Sequence, residues 1–323
     1  MRRRGHLENT SGKPQIRPIR ALLAAVVGMS VIPSGCADDM AESTPILVVQ
    51  EDDARLDTGG GGNAFIEPAP PDLVTYEIKR GGTLINVANL YKIHHHEIQA
   101  LNPALDLEGQ LSAGTRVAVY RRDPGRRSSS IGGPSDGSLE GGVPMLEGEG
   151  RRIYAQRYKA WASASTVAQL DRALTSWPVR EPEAHPILVG NLSSRAGGRL
   201  QPHASHRSGR DVDLSFIQKW DGESEVGWQK MTAKNLDREK TWSFLKLLID
   251  DGDVETVYID YGVQKLLYEH ASSTGLLSPR ELNRWIEYPR AVGESTAIIR
   301  HAAGHADHLH VRYACRATDR QCR

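Results

Sequence analysis

The stretch HASHRSGRDVDLSF, His203 to Phe216, decides how the C-terminal half of the chain is read. Its last six residues alternate. Val212, Leu214 and Phe216 fall on one side, and Asp211, Asp213 and Ser215 on the other, which is the period of a strand with one buried face. Far downstream, HLHVRY (His308 to Tyr313) repeats the pattern, with Leu309, Val311 and Tyr313 opposite His308, His310 and Arg312. If the two strands are neighbours in a sheet, Asp213 and His310 converge. His206 reaches the same point from the preceding loop, where Ser208, Gly209 and Arg210 supply the turn.

Two imidazoles and a carboxylate are zinc-type ligands, and three protein ligands leave a position for water, as catalytic rather than structural zinc sites do. The expected set is therefore Zn2+ on His206, Asp213 and His310. His308 lies two residues from His310 on the same face, roughly 7 Å along the strand, and is the expected catalytic histidine. His203 and His305 flank the site as further metal ligands or supports. Asp211 and Asp307 read as orienting carboxylates and His301 as incidental. No H-E-x-x-H helix is present to supply a glutamate base. Six of the twelve histidines lie in HASHRSGRDVDLSF and in HAAGHADHLHVRY, His301 to Tyr313.

The chain has 323 residues and zero formal net charge, so it offers no broad basic field for nucleic acid. The N-terminus reads as an export signal over residues 1–36, with Arg2, Arg3, Arg4, Arg17 and Arg20 ahead of the apolar run ALLAAVVGMSVI. PSGC places Cys36 as in a lipid-anchored protein, although Pro33 departs from that pattern and a plain secretory signal reads equally well. Export puts Cys315 and Cys322 in an oxidising compartment where they can pair, though spacing alone does not prove the bond.

Residues 37–72, with the run GGGGN, read as a flexible linker, and 122–150 as a second linker rich in Gly, Ser and Pro. Between them, 73–121 reads as strand, helix, helix, strand. Thr83 is a helix cap, and Leu84, Val87, Ala88 and Tyr91 recur at helical spacing. With KRGGTL, LNP and GQLSAGTRVAVY, this segment resembles a LysM domain, with Gly82 where that pattern has aspartate. The resemblance implies binding to N-acetylglucosamine-containing glycans such as peptidoglycan. HHH at His94–His96 falls between its helices and reads as exposed polarity, not a metal site.

GGRLQPHASHRSGRDVDLSF together with GHADHLHVRY is similar to the penicillin-insensitive murein endopeptidases, within the wider group of lysostaphin-type and D-Ala-D-Ala zinc peptidases. The likeness runs from about Arg151 to Tyr313, although 217–259 does not map onto it cleanly. It implies an antiparallel central sheet, zinc, and cleavage of the D-alanyl–diaminopimelate cross-link of peptidoglycan in the periplasm or cell envelope. It also implies zinc-ligand positions at His206, Asp213 and His310, a catalytic role for His308, and site positions at His203 and His305. The expected fold is thus α+β, with a zinc endopeptidase domain over 151–323. Arg195 or Arg199, on the loop entering the site, is positioned by sequence to meet a substrate carboxylate. A carboxypeptidase of the same zinc group, or a glycan-binding protein without activity, would share most of these features.

Overall fold

The computed structural model describes residues 71–250, 253–319 and 321–323. The export signal, Cys36 and all but the last two residues of the first linker lie outside the described residues.

The described chain begins with β1 (Leu73–Glu77), α1 (Leu84–Tyr91), α2 (His95–Leu101) and β2 (Arg116–Arg121), and β1 pairs antiparallel with β2. Helix α1 starts where it does because Thr83 and Asn86 cap each other. The Asn86 N–H donates to Thr83 Oγ1 (3.2 Å) and the Thr83 N–H to Asn86 Oδ1 (2.9 Å). Its buried positions, Leu84, Val87, Ala88 and Tyr91, face β2 and α2. Buried Asn102 ties α2 to the strands, since its amide donates to the Ile98 and Ala118 carbonyls (2.9 Å each) and accepts from the Ala118 N–H (2.8 Å).

The stretch 122–150 is not a free linker. It folds into β3 (Ser129–Ile131), β4 (Ser138–Glu140) and β5 (Val143–Pro144); β3 and β4 form a hairpin, and β5 pairs with β7 (Trp161–Ala162). Ser130, Leu139, Val143 and Met145 are buried. The glycines that suggested flexibility serve close approach. Gly141 has φ +54°, and a Cβ there would stand 2.5 Å from the Arg127 carbonyl oxygen. The C-terminal tail secures the hairpin. The Gly132 N–H donates to the Gln321 carbonyl (2.8 Å), the Arg323 N–H donates to the Gly132 carbonyl (3.2 Å), and a Cys315–Cys322 disulfide closes the tail.

Six further strands make the central sheet: β6 (Arg151–Ile153), β8 (Ile187–Val189), β9 (Asp211–Ser215), β10 (Val254–Ile259), β11 (Ile299–His301) and β12 (His308–Tyr313). Their order is β11-β10-β12-β9-β8-β6. The sheet is mixed, which corrects the expected antiparallel one. The middle pairings are antiparallel, but β10–β11 and β8–β6 are parallel. The reason lies in the connections. α3 (Ala164–Arg180) carries β6 over to β8, and α5 (Tyr261–Thr274) with α6 (Pro279–Trp285) carries β10 to β11, and helical crossovers return strands in parallel. Trp177 of α3 packs edge-to-face on Phe244 of α4 (Arg238–Asp250) at 5.1 Å. Phe244 and Trp242 are fully buried core residues.

The described residues belong to one compact unit, and Trp161 shows why. It lies in β7, beyond the second linker, yet its fully buried ring completes the apolar cluster of the small module, 6.4 Å from both Tyr91 and Tyr120. Its backbone pairs with Ser193, N–H to O at 3.2 Å and, in return, 2.9 Å. Beside it, both guanidinium arms of Arg195 hold the Glu97 carboxylate of α2, one of them at 2.6 Å. Trp161→Ala is expected to cost about 3 kcal/mol in a denaturant titration, the low end for a buried tryptophan. The cost is reduced because the buried Nε1–H has no hydrogen-bond partner to lose among the described residues. A loss below about 1 kcal/mol would show that the module packs independently of this ring.

Candidate metal centre

The histidine cluster is built by strand register. β9 and β12 pair so that His310 faces Asp213, Arg312 faces Asp211 and His308 faces Ser215. Alternate residues therefore share the polar face, while Val212, Leu214, Leu309 and Val311 are fully buried on the other. On the far side of β12, Tyr258 of β10 stands opposite His310.

His206 reaches this face from a loop held at its ends. Its φ of +64° turns the backbone back toward β9, and its N–H donates to Asp211 Oδ2 (2.9 Å). The ring is fixed by Nδ1–H donating to the Leu192 carbonyl (2.7 Å). Fully buried Asp211 also accepts from His310 Nε2 (3.1 Å) and Arg312 Nε (2.7 Å), and Arg312 Nη1 donates to the Tyr258 hydroxyl (3.1 Å). Burial works to raise the Asp211 pKa. The hydrogen bond and charge of His310, with the charge of Arg312, outweigh it and hold the carboxylate ionised far below its usual range. Asp211 thus orients the His310 imidazole and anchors the backbone that carries His206.

These bonds decide which nitrogens face inward. With His206 Nδ1 and His310 Nε2 donating outward, the lone pairs of His206 Nε2 and His310 Nδ1 turn to Asp213 Oδ1, at 3.2 and 3.4 Å. His206 Nε2 and Asp213 Oδ1 are both buried and have no hydrogen-bond partner among the described residues. Three lone-pair atoms converge with no donor among them, an arrangement that costs several kcal/mol unless a cation sits there. The residues fit a divalent metal ion on this ground. Without one, a proton substitutes. Burial disfavours a charged His206, but the adjacent Asp213 charge wins and raises its pKa, and the His206 charge in turn brings Asp213 down to about 2 against burial.

The flanking residues have distinct places. His203, His206 and Asp213 offer atoms all within 4.8 Å of one another, a group that could hold a metal ion. His203 Nε2 lies 3.9 Å from the other carboxylate oxygen, Asp213 Oδ2, and accepts from Asn191 Nδ2 (2.8 Å). Burial, with the His206 charge, pushes its pKa down to about 4, so it stays a neutral imidazole. His308 Nδ1 donates to Asp307 Oδ1 (2.7 Å), leaving Nε2 turned to Asp213 Oδ1 at 3.7 Å. His305 packs 4.8 Å from the His308 ring and 5.4 Å from that of His310, and burial lowers its pKa. His301 lies apart, accepting the Tyr261 N–H through Nδ1 (2.9 Å).

Of the two candidate substrate arginines, Arg195 has its fork taken by Glu97, so it does not present a free guanidinium to the site; Arg199 is exposed. His94 spends its side chain capping α2 and its neighbours are exposed. Sequence reasoning missed Asn191, the Leu192 carbonyl, Tyr258 and Trp228, whose ring meets His308 edge-on at 5.5 Å. Tyr258 was detectable, since alternation in VETVYI puts it on one face with Thr256 and Val254. Trp228 sits in an irregular stretch with no period to mark it.

A family model described as penicillin-insensitive murein endopeptidase matches residues 130–274, which include His203, His206 and Asp213. A penicillin-insensitive murein endopeptidase of Yersinia pestis bv. Antiqua (strain Antiqua) is 24% identical over 236 residues, 66% of this chain and 79% of the relative. One from Pectobacterium atrosepticum is 25% identical over 210 residues, 60% of the chain and 67% of the relative. One from Escherichia coli O9:H4 (strain HS) is 23% identical over 239 residues, 69% and 79% respectively. No helix among the described residues is long and apolar enough to cross a membrane.

Proposed function

We propose that the chain is a member of the penicillin-insensitive murein endopeptidase family, peptidases of peptidoglycan, and a zinc endopeptidase cutting the D-alanyl–diaminopimelate cross-link. The observation that carries the metal is the donor-free convergence of His206 Nε2, Asp213 Oδ1 and His310 Nδ1. These three residues would hold zinc, with His203 and His305 as auxiliary ligands or supports. When bound, zinc polarises a carbonyl and acidifies water toward neutrality.

The remaining work falls to the chain. His308 Nε2 takes the proton of the attacking water and delivers it to the leaving amine, while Asp307 on Nδ1 fixes the tautomer and stabilises the ring when it is charged. Asp211 holds His206 and His310 in ligand orientation. Trp228 covers one side of His308. The module over 73–121 binds glycan and, packed through Trp161 and Glu97, presents it at a fixed distance rather than on a tether. Export through the segment 1–36, to the periplasm or cell envelope with or without lipid at Cys36, places the enzyme on its substrate.

Mass spectrometry of digested muropeptides tests the reading. Cross-linked dimers are expected to become monomers. Release of D-alanine without loss of dimers would mean carboxypeptidase chemistry, and unchanged material would refute a catalytic role.

A further inference from the structure

A cleft of about 970 Å³ opens where the small module meets the catalytic body, and the chemistry above leaves its charge unused. Its walls carry Lys92, Arg121, Arg122, Arg126, Arg127 and Arg195 against Glu97 and Asp123. Two of the cations are already matched, Arg195 by Glu97 and Arg122 by Asp72 at 2.6 Å. Lys92 lies over the Tyr158 ring, 3.6 Å from its centroid, an arrangement that leaves its charge in place. Arg121, Arg126 and Arg127 are exposed, and no ion pair is made to them among the described residues. Four cations thus face one acid, Asp123, in a chain whose formal net charge is zero.

The location is as informative as the charge. Ser194, Arg195 and Ala196 line the cleft, and the same loop supplies Asn191 to His203 and the Leu192 carbonyl to His206. Arg195 follows Leu192 by three positions, which bounds their Cα separation at about 11 Å. The cleft and the histidine cluster are therefore close enough for one polymer to contact both.

We propose that this cleft is a second substrate contact that binds the free carboxylates of a neighbouring stem peptide on the same peptidoglycan. The inference rests on peptidoglycan being the substrate. Guanidinium groups suit it because they meet carboxylates through two parallel hydrogen bonds and keep their charge at every physiological pH. A rigidly docked module gives such a contact a fixed spacing from the cut bond, so the enzyme reads multi-stem material in preference to an isolated dimer.

The test is co-sedimentation of the full chain with purified sacculi over a salt series. The comparison is with the Arg121→Gln/Arg126→Gln/Arg127→Gln variant, and with sacculi whose carboxylates have been amidated. At low salt the variant is expected to bind on the order of tenfold more weakly, with the difference vanishing at high salt. Wild type on amidated sacculi should be weakened to the same degree, an arm that needs no variant to fold. Equal binding by wild type and variant would overturn the proposal. So would a variant defect combined with undiminished binding to amidated sacculi, since the anion would then not be a carboxylate. Muropeptide release in the same tubes reports separately on the catalytic reading. A wild type that binds in this salt- and carboxylate-dependent way without cutting would refute that reading alone.

Discussion

His206→Asn is expected to abolish tight metal retention and to lower cross-link cleavage by more than about a thousandfold, the scale of losing several kcal/mol of charge stabilisation. Asparagine is the informative replacement because His206 has φ +64°, where asparagine is tolerated and alanine is strained. The fold should survive, since the N–H that Asp211 accepts is kept. The same site sets a pH dependence in the unsubstituted protein. The Asp213 charge raises the His206 pKa, so below that pKa a proton occupies the nitrogen a metal needs. Metal affinity should therefore rise by about tenfold per pH unit through that range and level off above it. Titration with zinc at several pH values measures this. An affinity flat with pH, or a His206→Asn variant that keeps its metal, would contradict the ligand assignment.

His308→Ala is expected to lower kcat by about 10²–10⁴-fold while zinc stays bound and KM changes little. The geometry separates the two residues. His206 is sealed among Leu192, Asp211 and Asp213, whereas His308 is partly open, is oriented by Asp307, and turns Nε2 to the site without being one of the three converging ligand atoms. Inductively coupled plasma measurement of zinc, alongside turnover of a cross-linked muropeptide, resolves the roles. Loss of zinc together with activity would make His308 a ligand, and unchanged kcat would leave the proton transfer to another group.

How far these features could be read from the sequence depended on range. Alternation in DVDLSF and HLHVRY was enough to put Asp213 and His310 on matching faces, because strand period is a local property, and the register sets them opposite one another. The parallel edges of the sheet were not legible, because they depend on where α3 and α5 deliver their strands. Composition misread 122–150, since glycine that permits close backbone approach looks like glycine that permits motion; Gly141 is of the first kind. The Arg195–Glu97 pair is not legible either, because Glu97 stands in another module and nothing near Arg195 in sequence announces it. Trp161 was grouped with the large domain for the same reason, while its ring packs in the small one.

The most direct measurement is anomalous diffraction at the zinc edge from crystals of the full chain grown with zinc. One peak is expected about 2.0–2.2 Å from His206 Nε2, Asp213 Oδ1 and His310 Nδ1 together. A peak held by His203 and Asp213 without His310, or zinc bound only elsewhere on the molecule, would contradict it.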